Sequence, residues 1–147
     1  GKGLLLCGRS GRGKTHLACT IINQLNTKFS LAFAHTPTLL EQIRKGSGDL
    51  EHLLEVDLLV LDDIGSERES DWALEKLLII VDGRLNQLKS TIYTTNFDYN
   101  ELELRLGSRL SSRILNNSLY ILVQGPDWRE VMYRQGTGGT SKKTMRQ

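Results

Sequence analysis

GLLLCGRSGRGKTHLA, residues 3–18, sets a short apolar run, a glycine-rich loop and a helical pattern in that order. The run at residues 3–7 suits a strand covered on both faces. Past the loop, Leu17, Ala18, Ile21, Ile22 and Leu25 recur at the spacing of one helix face. Between strand and helix, Gly8, four residues, then Gly13, Lys14 and Thr15 meet the full pattern of a phosphate-binding loop. Glycines let the backbone bend so that successive amides converge on an anion, and the following helix adds its positive end. Gly8, Arg9, Ser10, Gly11, Arg12, Gly13, Lys14 and Thr15 are therefore expected to hold a nucleotide, with Lys14 reaching the outer phosphates and the Thr15 hydroxyl binding magnesium. His16 directly follows; it either neighbours the phosphates or lies on the helix surface.

A phosphate loop needs a second element to hold its metal, placed at the carboxyl end of a neighbouring strand. DLLVLDD, residues 57–63, supplies it: four apolar residues cross the core and deliver Asp62 and Asp63 to its edge. Asp62 would hold magnesium through its water shell, and Asp63 would orient or activate the attacking water. The competing role for two aspartates after a strand is to cap the next element.

The remaining chain alternates strands and helices. SLAFAH (30–35), STIYTTN (90–96) and LYILVQ (119–124) read as strands. TPTLLEQIRKG (36–46) reads as a helix capped by Thr36 and ended by Gly46, and DLEHLLE (49–55) as a short amphipathic piece. From Ser70 to Leu88 a stripe of Leu74, Leu77, Leu78, Val81, Leu85 and Leu88 is interrupted only by Gly83, and NELELRL (100–106) opens with the spacing of a capping box, Asn100 to Glu103. Five strands alternating with helices predict an α/β fold with a mainly parallel sheet and helices on both faces.

Composition agrees with one compact domain. The chain has 147 residues, 39% hydrophobic and 24% charged, a length and balance that sustain a single core. No apolar stretch is long enough to span a membrane and no leader pattern opens the chain, so a cytoplasmic address without membrane contact is expected. Cys7 and Cys19 fall in a strand and a helix and are expected to be buried, reduced thiols. A net charge of +2 does not by itself argue for nucleic acid. The last residues, TGGTSKKTMRQ (137–147), are polar and basic without apolar period, and 131–147 is expected to be a mobile basic tail after a core at 1–130.

GLLLCGRSGRGKTHLA, LLVLDDIGSE (58–67), STIYTTN and GSRLSSRI (107–114) occur in the order of the AAA+ ATPases. More narrowly, the chain resembles bacterial replicative helicase loaders of the DnaC and DnaI type and the related IstB-type transposition ATPases. The resemblance runs from Gly3 to about Arg129; its most specific marks are the paired aspartates and the TTN ending the fourth strand. It implies a P-loop NTPase three-layer fold without a separate helical lid domain, ATP and Mg2+ as ligands, and slow ATP hydrolysis by the isolated domain. It also implies that Asn96 is a sensor residue on the γ-phosphate or the attacking water, a role suited to an amide that both donates and accepts.

RLSSRI resembles the arginine-finger box of DnaA-like initiators and points to Arg113 as a finger acting in trans, with Arg109 second. Arg105, Arg109 and Arg113 are four apart, so a continuous helix would carry all three on one face, a continuity that Gly107 puts in question. GPDWRE (125–130) is similar to the segment whose arginine serves as a second sensor, here Arg129, with Trp128 expected to pack that segment down. Arg44 and Lys45 are implied to face single-stranded DNA. The family's amino-terminal partner-binding domain, which grips the hexameric helicase, is expected to be missing from a chain that starts at Gly1.

Three activities compete at this point: a loader that assembles through its finger and delivers a ring helicase to DNA, a transposition accessory ATPase with the same core, and a P-loop small-molecule kinase. A kinase needs an acceptor pocket and usually an arginine-rich lid, whereas this chain offers paired aspartates, a sensor-like asparagine and an intersubunit-type arginine.

Overall fold

The computed structural model describes residues 1–66 and 70–137. Five parallel strands form one sheet: β1 (Gly3–Cys7), β2 (Leu31–His35), β3 (Leu58–Asp62), β4 (Ser90–Thr95) and β5 (Ser118–Leu122), in the order β2-β3-β4-β1-β5. β1 is thus flanked by β4 and β5, and β3 by β2 and β4. All five residues of β3 are buried, which is why its sequence is apolar without alternation.

The helices are α1 (Lys14–Leu25), α2 (Thr36–Arg44), α3 (Leu50–Glu55), α4 (Asp71–Asn86), α5 (Tyr99–Asn116) and α6 (Trp128–Thr137). Right-handed crossovers decide their faces. The connection from β1 to β2 runs one way across the sheet and carries α1; those between later strands run the other way and carry α2 to α5. Two apolar clusters follow from this. Leu6, Ala18, Leu58, Val60 and Ile92 pack under α1, and the larger group of Leu5, Leu59, Leu61, Leu77, Ile80, Leu102 and their neighbours packs under α2 to α5. The expected three layers and five parallel strands are present.

Local expectations are corrected in four places. The second helix begins at Thr36 with His35 in the N-cap position and no side-chain cap; the Thr36 hydroxyl is buried without a partner rather than capping. The capping box lies two residues upstream of Asn100: Asp98 accepts from the Glu101 amide at 2.9 Å and Glu101 accepts from the Asp98 amide at 3.0 Å. Gly83 does not interrupt α4; it lets α3 approach, since a Cβ there would stand 2.7 Å from Leu54 Cδ2. Leu88 lies beyond α4, largely exposed and in a left-handed conformation. The division at residue 130 is also displaced. α6 continues through 131–137, so that part of the expected tail is helical, while 138–147, like Glu67 of the LLVLDDIGSE phrase, lie outside the described residues.

Arg84 of α4 is an unforeseen core element. Only 1% exposed, it donates to the carbonyls of Leu53, Val56, Asp57 and Ser90 and to Thr91 Oγ1, tying α3 to the starts of β3 and β4. Burial pulls its pKa down from the usual arginine value.

Candidate functional site

The carboxyl ends of β1, β3 and β4 open on one cleft of about 340 Å³. The phosphate loop between β1 and α1 forms its floor. Gly11 (φ +80) and Gly13 (φ +90) take backbone conformations that side chains resist, and at Gly11 a Cβ would also collide with the Asp127 carboxylate. Ser10, Gly11, Gly13, Lys14, Thr15 and His16 line the cleft; Gly8, Arg9 and Arg12 complete the loop without lining it. Lys14 is 6% exposed and its ammonium donates to the carbonyls of Gly8 at 2.5 Å and Arg9 at 2.8 Å. Burial lowers its pKa from the ordinary lysine value, opposed by the charges of Asp63 and Asp62.

Across the cleft stands the pair of aspartates. Thr15 Oγ1 donates to Asp62 Oδ1 at 2.8 Å, joining the loop to β3. Thr94, one strand over, is a residue that the sequence reading missed. Its hydroxyl donates to Asp62 Oδ1 at 2.7 Å and accepts from the Asp63 amide at 2.8 Å, so one side chain of β4 sets both aspartates. The register Leu61↔Tyr93 that makes this possible is a property of strand order and carries no motif of its own. Asp63 leaves the strand with φ 61, turning its carboxylate toward the cleft. Asn96 Nδ2 donates to Asp63 Oδ1 at 3.2 Å, and His35 Nε2 lies 3.7 Å from Asp63 Oδ2. The sequence had assigned His35 nothing; the β2–β3 pairing brings it there. Hard oxygen donors, the Thr15 hydroxyl and the Asp62 carboxylate, thus meet beside a phosphate loop, a donor set that fits magnesium.

The segment after β5 closes the cleft from the side. The Trp128 amide donates to Gly11 O at 2.9 Å. Arg129 donates through Nε and Nη2 to the Asp127 carboxylate at 3.2 and 3.0 Å and through Nη2 to Ser10 Oγ at 3.0 Å. That bonding holds the Asp127 carboxyl below its usual range. Arg129 and Trp128 both line the cleft.

The other predicted site residues lie elsewhere. Gly107 (φ 74, ψ 160) breaks α5, so Arg105, Arg109 and Arg113 are not one helical face. Arg105 donates to Gly65 O at 2.9 Å and stacks 3.8 Å over Phe97, while Arg113 Nε pairs with Asp82 Oδ1 at 3.1 Å and Arg109 is exposed. Arg44 and Lys45, at the end of α2, both pair with Glu41, and the Arg44 guanidinium sits 5.0 Å from the Trp72 ring. Cys7 and Cys19 are free thiols; Cys7 is buried, which raises its pKa to about 11, whereas Cys19 on α1 is only partly buried, against the expectation that both are enclosed. No helix among the described residues is long and apolar enough to cross a membrane.

A family model described as IstB-like ATP binding protein matches residues 2–129. The replicative helicase loader DnaC of Escherichia coli K12 is 33% identical over 137 residues, covering 85% of this chain and 55% of that protein. An ATP-binding protein of insertion sequence IS1162 from Pseudomonas fluorescens is 39% identical over 99 residues, covering 63% of this chain and 42% of that protein. Among solved structures, the crystal structure of the DnaC helicase loader superposes with a TM-score of 0.77 at 34% identity, over 84% of this chain and 78% of that one. The chain spans about half the length of the curated relatives it matches.

Proposed function

We propose that this chain, which belongs to the IstB-like ATP-binding protein family, is the ATP-hydrolysing AAA+ domain of a loader that delivers a replicative helicase to single-stranded DNA. The observation that carries the nucleotide part is the 2.8 Å contact between Thr15 and Asp62, with Lys14 at the loop and Asn96 against Asp63 in the same cleft. The helicase part is supported by the likeness to DnaC over most of this chain.

In this reading the loop amides and Lys14 bind the phosphates, and Arg129 reaches them from the side as a second sensor. Thr15 and Asp62 would hold magnesium, which when bound supplies positive charge to the phosphate oxygens. Asp63 orients the attacking water while Asn96 fixes the carboxylate and meets the γ-phosphate. Arg113 enters a neighbouring subunit's cleft, so hydrolysis depends on assembly. Arg44 and Lys45 contact DNA, and a cytoplasmic address belongs to the same reading. Partner recognition is assigned to an amino-terminal domain outside this chain.

A second reading, an accessory ATPase of transposition, is favoured by the insertion-sequence relative. A pull-down of the full-length protein loaded with ATP separates the two: recovery of a hexameric helicase supports the loader, and recovery of a transposase replaces it with the accessory ATPase. The nucleotide part is tested by calorimetry with ATP and magnesium, where Lys14→Ala must abolish binding or hydrolysis.

A further inference from the structure

The cleft wall is polar at the end where the loop, Asp62, Asp63 and Asn96 converge. Toward α6 its character changes. Trp128 is the one large aromatic side chain in this wall among the described residues, and it is 51% exposed. An indole left half in water gives up much of the gain that burying it would bring. Holding its segment in place does not require it: the Trp128 amide on Gly11 O, the Asp127–Arg129 pair and the Arg129–Ser10 bond already fasten that segment to the loop. A Cβ built on Gly13 would meet Trp128 Cδ1 at 3.8 Å, so the ring borders the loop at its last glycine.

A ligand whose phosphates fill the amide concavity carries its base one sugar away. The aromatic surface that this wall offers is the indole bordering the loop at its last glycine. We infer that Trp128 is the base platform of the site, stacking its exposed face on the purine ring of a nucleoside triphosphate. This assignment rests on the nucleotide reading above and adds to it the part of the ligand that the phosphate loop does not see. A stacked face recognises a flat ring by its π surface and not by its edge pattern, so Trp128 accepts either purine.

The chain has two tryptophans, Trp72 and Trp128, so Trp72→Phe leaves Trp128 as the sole indole emitter. In that background the 147-residue chain is titrated with ATP and, separately, with inorganic tripolyphosphate, both with magnesium. The emission of Trp128 should change with ATP and stay flat with tripolyphosphate, while calorimetry registers binding of both. Trp128→Ala should weaken ATP about tenfold, the scale of one stacked base, leave tripolyphosphate unchanged, and be rescued to near wild-type affinity by Trp128→Phe. If Trp128→Ala weakens both ligands alike, or both alter the emission equally, the indole merely clamps α6 to the loop and the platform is wrong. If neither ligand binds the unmutated chain, the nucleotide reading itself falls, and the platform with it.

Discussion

Asp63 is the residue on which three strands converge. Its amide is held by Thr94 of β4, one carboxylate oxygen by Asn96 just past β4, and the other faces His35 of β2. Asparagine in its place keeps the shape and removes the charge that is proposed to orient the attacking water. Asp63→Asn should therefore bind ATP like the unmutated chain yet lose roughly a hundredfold or more in turnover, as removal of a general base does; a parallel loss of nucleotide affinity would place Asp63 in binding instead. A second carboxylate, on the far side of the strands from the cleft mouth, contributes to acid stability. Asp57 accepts from the Ser30 amide at 3.0 Å and hydroxyl at 2.9 Å and from Lys89 at 3.2 Å, which together hold its pKa down to about 2. Because the unfolded chain takes up this proton first, near pH ~4, the contribution is complete above that value and fades as pH falls through about 2. Unfolding followed between those limits should show a shallower acid limb for Asp57→Asn than for the unmutated chain; superimposable limbs would remove Asp57 from the account.

Elements that carry their own signals were legible in the sequence, and those set by pairing were not. Strand, loop and helix around Gly8 to Thr15 are local, as is an apolar run ending in two aspartates, and each stands where the pattern put it. Cap positions slipped where two candidates compete: Asp98 prevails over Asn100 because its partner Glu101 closes the box from both ends. The roles of Thr94 and His35 depend on which strands lie side by side, information spread over the whole chain. So does the placement of Asp127 against Gly11, which joins residues more than a hundred positions apart. At α5 the decisive element is the break. Gly107 adopts a backbone conformation that is nearly restricted to glycine, with open space around it. Gly107→Ala should thus cost about 1–3 kcal/mol through backbone strain alone, read as a lower urea midpoint. An unchanged midpoint would mean that the helix straightens without penalty.

For the molecule as a whole, the proposal divides one active centre between two copies. Lys14 belongs to the cleft and Arg113 to a distant helix, where it pairs with Asp82. Lys14→Ala and Arg113→Ala should each be inactive alone. Mixed, they should recover part of the hydrolysis, because one copy contributes an intact cleft and the other an intact arginine. Recovery should rise with protein concentration. A mixture as inactive as its components would return Arg113 to an ordinary surface pair.

The strand order has a further consequence. β1 and β3, which end in the phosphate loop and the aspartates, are each sheltered by neighbours on both sides, whereas β2 and β5 form the rims. Breathing of the sheet begins at rims, where fewer bonds need to open. Deuterium should therefore enter β2 and β5 early and β1 and β3 late, leaving the floor of the cleft rigid while the molecule's margins fluctuate.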